Sequence, residues 1–248
     1  MLQIKPWFLV ALLTLAVGSR VCSQSDFEAP VICPVTVDAK TVAIGDLNGD
    51  GRDDVALTAW QSRLYVLYQQ ADGSLSAATE MYAPSLPGGI AIADLNADGL
   101  NDLAVGGSGG VILLYYQLAD GKLDLPTAAW GYGLVNSLVI GDFGGDGLAD
   151  IVSTSSTLPV VLVTHQLSDG TFDLPVSFST GGSNPRCIQT LDYNSDGASD
   201  LALLLDNEIC CMSGLSGGGF EAPSYITASY AYGLAAGDVT GDGTAETK

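Results

Sequence analysis

One short stretch, Gly-Asp-Leu-Asn-Gly-Asp-Gly-Arg-Asp-Asp at residues 45–54, returns along this 248-residue chain at a nearly constant interval. That recurrence constrains the fold more than any other feature. Asp46, Asn48 and Asp50 place side-chain oxygens at every second position. Gly51 follows at the sixth position, where the chain must turn sharply. The carbonyl of Arg52 can point inward at the seventh position, and Asp54 adds a carboxylate at the ninth. Ca²⁺ takes six to eight oxygen ligands at roughly 2.3–2.6 Å, and this spacing supplies such a cage from one segment. Asp94, Asn96, Asp98, Leu100 and Asp102 repeat the set, as do Asp192, Asn194, Asp196, Ala198 and Asp200. Asp142, Asp146, Leu148 and Asp150 repeat it with Gly144 at the third position. Asp238, Thr240, Asp242, Thr244 and Glu246 repeat it with two substitutions. The first positions fall at 46, 94, 142, 192 and 238, in steps of 48, 48, 50 and 46 residues. The expectation is one Ca²⁺ per loop and up to five in all, with the third and fifth loops weaker.

A second feature carries the same period. Asp72-Gly73, Asp120-Gly121, Asp169-Gly170 and the degenerate Gly217-Gly218 are turns followed by Leu75, Leu123, Phe172 and Phe220. Two features sharing one period identify a structural repeat. The second unit shows its content. Ala77–Tyr82, Ile90–Ala93, Leu103–Val105 and Val111–Tyr116 are short apolar, β-branched or aromatic runs, with a tight turn expected over 106–110. They read as four antiparallel strands. No window carries a helical stripe, so almost no helix is expected. Four-stranded units of this length predict an all-β fold, a β-propeller of four full blades and part of a fifth. An incomplete ring would expose an apolar face and strand edges. The expectation is therefore a fragment, or a ring closed by self-association. An EF-hand is excluded, because it needs Glu at the twelfth position and flanking helices. Leu57 and Val105 stand there.

Net charge is −20, from 28 acidic against 8 basic residues, and the first, fifth and ninth positions of the five loops hold 15 of the acids. A basic footprint for nucleic acid is missing. Residues 1–23 read as a signal peptide: Lys5, an apolar run from Trp7 to Val17, then small residues allowing cleavage after Ser19 or Ser23. A lipid on Cys22 is disfavoured by Ser19-Arg20-Val21. The run is too short to span a bilayer and no later segment does so, which predicts an exported protein, extracellular or periplasmic. Cys33, Cys187, Cys210 and Cys211 remain after processing. They do not follow the repeat, and either disulfides or buried thiols are compatible with them.

Between Phe27 and Lys248 the motif D-x-[DN]-x-D-G-x-x-D, set between apolar strands and followed by the Asp-Gly-x-Phe/Leu turn, resembles the FG-GAP or VCBS repeats of integrin α-subunit propellers and many secreted bacterial proteins. The resemblance implies calcium in blade hairpin loops and ligand recognition by other loops or blade edges. Gly144, Thr240 and Glu246 depart from the pattern.

Catalytic groups are thin. The one His, His165, occupies the place of Tyr68 and Tyr116 and reads as a strand side chain. Ser/His/Asp catalysis would need it, and no G-x-S-x-G elbow is present. Trp60, Trp130, Tyr132, Tyr230 and Tyr232 could stack on sugars, although packing between blades is the commoner use. The expected function is a non-enzymatic binding or adhesion module for an extracellular glycan or protein. The alternative is a scaffold or accessory part of a polysaccharide lyase or hydrolase.

Overall fold

The computed structural model describes residues 38–228, 231–237 and 246–247. The expected signal peptide, Cys33, Tyr230 and the side chains of the fifth loop lie outside them. Sixteen strands form four sheets, each a four-stranded antiparallel meander. The first blade is β1 (Ala39–Gly45), β2 (Asp54–Ala59), β3 (Arg63–Leu67) and β4 (Thr79–Tyr82). The second is β5 (Ile90–Ala93), β6 (Asp102–Gly106), β7 (Val111–Tyr115) and β8 (Thr127–Trp130). The third is β9 (Val135–Gly141), β10 (Asp150–Ser155), β11 (Val160–Thr164) and β12 (Val176–Ser179). The fourth is β13 (Cys187–Leu191), β14 (Asp200–Leu204), β15 (Glu208–Met212) and β16 (Ser224–Thr227). A two-stranded sheet, β17 (Ala236–Gly237) and β18 (Glu246–Thr247), brackets the fifth loop. The first strands of successive blades lie side by side, so the sheets radiate as propeller blades. Helix among the described residues is confined to one 3₁₀ turn, Ser108–Gly110, inside the expected 106–110 turn. Trp130 ends β8.

The core lies between blades. Strand alternation sends Leu103 and Val105 toward the first blade, against Leu64, Val66 and Tyr115. Ala104 joins Ile112, Leu114 and Ala129 against Leu138 and Ile151 of the third blade. Val152, Val161 and Val163 meet Ile188, Leu201 and Leu203 of the fourth. Each second strand is therefore covered on both faces, which is why β6 and β14 are wholly buried. The fourth strands are edges, and β16 is exposed throughout. Cys187, Cys210 and Cys211 are free thiols. Burial pushes the Cys210 thiol up to about 12, so it stays protonated and inert.

Polar bridges accompany this packing. The Gln117 side-chain amide donates to the Asp46 carbonyl at 3.2 Å, from the second blade to the first. The Gln166 amide donates to the Leu95 carbonyl at 2.5 Å, from the third blade to the second. The Tyr115 hydroxyl donates to the Tyr82 carbonyl.

Truncating Leu103, fully buried between two blades, should cost about 2–5 kcal/mol in L103A. On the outward face of β1, Val42 is 61% exposed, and V42A should change stability by less than about 0.5 kcal/mol. Urea denaturation of both variants checks the difference.

Candidate metal centre

All four described loops join the first and second strands of a blade, and they share one hydrogen-bonding scheme. The first Asp folds back over its own loop. Asp46 Oδ1 accepts from the N–H groups of Asn48, Gly49 and Asp50 at 3.1, 2.7 and 3.3 Å, and Oδ2 accepts from Gly51 at 2.7 Å. Asp94, Asp142 and Asp192 accept from Gly99, Gly147 and Gly197 at 2.8, 2.9 and 3.0 Å. The sixth residue has φ between +81° and +85° in every loop, which any side chain would strain. The fifth Asp caps the seventh residue: Asp50, Asp98, Asp146 and Asp196 accept from Arg52, Leu100, Leu148 and Ala198.

The ninth position holds the buried members of the set. Asp54, Asp102, Asp150 and Asp200 are at most 1% exposed. Each spends one oxygen on the N–H of the loop's second residue and the other on the N–H of a residue just beyond the third strand. Asp102 accepts from Leu95 at 2.9 Å and Gln117 at 2.8 Å. Asp200 accepts from Tyr193 at 3.0 Å and Gly214 at 2.8 Å. Asp54 uses Leu47 and Gln69, and Asp150 uses Phe143 and Gln166. The sequence reading treated these residues as ligands alone. The structure shows that they also tie three segments of the blade together.

The electrostatics follow from this placement. Burial pushes Asp102 up to about 6, aided by the charges of Asp98 and Asp94 and opposed by the two N–H donors. Burial also raises Asp54 and Asp200, and neighbouring loop carboxylates add to it. Asp46 has some burial pushing it up, but four backbone N–H groups outweigh that and lower it. Among the described residues, no three His, Cys, Asp or Glu side chains already converge into a cation cage. In the first loop, the Arg52 guanidinium pairs with Asp50.

The third loop differs in a way the sequence reading missed. His165 Nδ1 sits 3.0 Å from Asp150 Oδ2, and a Cβ on Gly144 would lie 3.5 Å from that same nitrogen. The imidazole thus lies beside the place where the other loops carry Asn48, Asn96 and Asn194. The pairing of a Gly at the third position with a His in place of Tyr68 and Tyr116 was the available signal. Trp60, Trp130, Tyr132 and Tyr232 are all exposed, so the expected packing between blades does not describe them. Lys40 Nζ lies 4.7 Å from the Trp60 ring centroid.

The family model for FG-GAP-like repeats matches residues 46–105 and 94–153. Comparison with curated proteins returned no match. Among solved structures, an Agrocybe aegerita lectin that specifically recognises non-reducing terminal N-acetylglucosamine matches with 18% identity and TM-score 0.62. The match covers 85% of this chain and 61% of the lectin. BBS1N, solved in complex with ARL6DN, matches with 15% identity and TM-score 0.54, over 77% of this chain and 58% of that one. The Photorhabdus luminescens Tc holotoxin pore matches with 22% identity and TM-score 0.49, over 88% of this chain and 11% of that one.

A pH test follows for Asp102. Between the ordinary carboxylate value, near 4, and about 6, the unfolded chain has released the proton that folded Asp102 keeps. Stability in chelator should therefore fall as pH rises through that window. D102N should flatten this slope, while costing about 1–3 kcal/mol for the N–H it leaves unpaired. Thermal melts from pH 4 to pH 7 read both effects. By its motif, the stretch over residues 46–153 is similar to FG-GAP-like repeats, and by its fold the chain is a β-propeller of four-stranded blades.

Proposed function

We propose that this protein is an exported binding module whose blades are stabilised by calcium in the hairpin loops and whose ligand is an extracellular glycan or protein. The observation that carries the reading is the scheme shared by four loops, each with Asp at its first, fifth and ninth positions and a backbone folded around the first. Each carboxylate oxygen has two lone pairs, so an oxygen accepting one N–H keeps a position for a cation. Asp102 is raised chiefly by its burial, with Asp98 and Asp94 adding to it, and a divalent ion beside it would favour the charged carboxylate. Asp46, Asn48, Asp50, Asp54 and the Arg52 carbonyl would hold the ion in the first loop, and their counterparts would do so in the others. The third loop, with Gly144, would lack one oxygen. The fifth, with Thr240 and Glu246, lies outside the described side chains.

Binding is favoured over turnover because the buried carboxylates are engaged by backbone donors that hold the blades. Export agrees with the N-terminal apolar run. Among the described residues, no helix is long and apolar enough to cross a membrane.

Removing calcium with a chelator should lower the melting temperature, and adding it back should restore it. Each filled site contributes about 1.4 kcal/mol when calcium is tenfold above its Kd. An unchanged calorimetric transition would remove calcium from the reading. Glycan and extracellular-protein arrays, probed with calcium present, test the module itself.

A further inference from the structure

The boundary between the second and third blades differs from its neighbours. Met81 stands opposite Leu64 in the first blade, Phe178 opposite Val161 in the third and Ile226 opposite Ile209 in the fourth. The second blade has Ala129 at this register position, opposite Ile112. Met81 packs into the core between the first two blades. Phe178 meets Phe220 of the fourth blade edge-on, with ring centroids 5.3 Å apart. Ala129 is buried at this place among Ile112, Leu114, Leu138 and Ile151, and its neighbours Ala128 and Trp130 face outward.

A second departure coincides with the first. The fourth loop position is Gly49 in the first loop and Gly145 in the third, but Ala97 in the second. The turn of the next blade presses on the first and third loops. A Cβ on Gly121 would meet the Asn48 carbonyl at 2.7 Å, and one on Gly145 would meet the Ser216 carbonyl at 2.8 Å. A Cβ on Gly170, in the turn facing the second loop, would meet nothing within 4 Å. Between the second blade and this turn lies a groove of about 520 Å³, with Ala128 and Trp130 of β8 in its wall.

Its lining is mixed. Leu114, Tyr116 and Phe172 give apolar and aromatic surface, and Thr127, Thr171 and Asn96 give hydroxyls and an amide. No Asp, Glu, Lys, Arg or His is among the described residues that line it.

We propose that this groove binds a neutral sugar, one or two pyranose rings in length. Its volume lies within the range of small-ligand sites, roughly 300–1,000 Å³. A pyranose presents an apolar C–H face and a rim of hydroxyls, which matches aromatic surface beside threonines and an amide. A charged ligand would enter without a counter-charge, which costs free energy. An anionic sugar would also meet the field of a chain with net charge −20. The inference rests on the binding-module reading and gives that module a ligand class and a place.

The test uses the whole chain with calcium present. The probes are neutral oligosaccharides ending in N-acetylglucosamine, galactose or mannose, and their sulfated counterparts. Saturation-transfer NMR and titration calorimetry report binding. Two variants, A128F and A128W, put a large side chain into the groove from Ala128, an exposed residue of its lining. They should abolish binding of the neutral probe, at least about tenfold, with an unchanged or raised melting temperature. T171A should weaken binding about fivefold, the equivalent of one neutral hydrogen bond, without moving the melt. Full binding by folded A128F or A128W would overturn the groove and leave the module standing. Preference for the sulfated probes would overturn the neutral-ligand claim. No saturable binding of any neutral probe at millimolar concentration would overturn the site, while the protein array would still decide the module.

Discussion

A buried carboxylate that accepts two backbone N–H groups is the interaction on which each blade depends. Asp54, Asp102, Asp150 and Asp200 open the second strand of their blades and hold the loop before that strand and the chain beyond the third. Burying a carboxylate is costly unless the charge is compensated. Here two charge-assisted bonds offset part of the cost. The upward displacement of Asp102 shows that they do not offset all of it. The sharp corner follows from the same residue. Holding the loop's second N–H fixes where the chain leaves the first strand, and a Gly at the sixth position must then turn with positive φ.

The period, the four strands per unit and the acidic loops were legible in the sequence because each is a local pattern repeated in register. Two signals at one spacing placed the blades before any coordinates did. The dual role of the ninth carboxylate was not legible, since Gln117 and Gly214 become its partners only when the third strand folds back beside the loop. The same holds for His165, which reads as one more strand side chain until its contact with Asp150 is seen. The exposed aromatics misled for a different reason. Trp130 follows Ala129 in an edge strand, where no further strand of its own blade pairs on its outer side. Composition alone assigns a large aromatic residue to the interior.

The boundaries between blades are built differently although the blades are alike. Gln117 and Gln166 cross from one blade to the loop of the preceding one. In the fourth blade Gly214 takes that place, and the third boundary relies on Phe143, Phe178 and Phe220. The middle boundary keeps its glutamine and packs the small Ala129 where its neighbours use Met81 and Phe178.

A stack whose units touch only their neighbours behaves as a line of coupled springs, with cooperativity set by its weakest joint. The Gly214 junction lacks the glutamine tether but has others: the Tyr225 hydroxyl donates to the Thr180 carbonyl at 2.8 Å, and the Asn184 amide to the Ser156 carbonyl at 2.8 Å. The last described blade is thus pinned through its outer strand and its entry loop, and a load on it passes to the third blade at the rim, much as the end leaf of a fan is held by its ribbon.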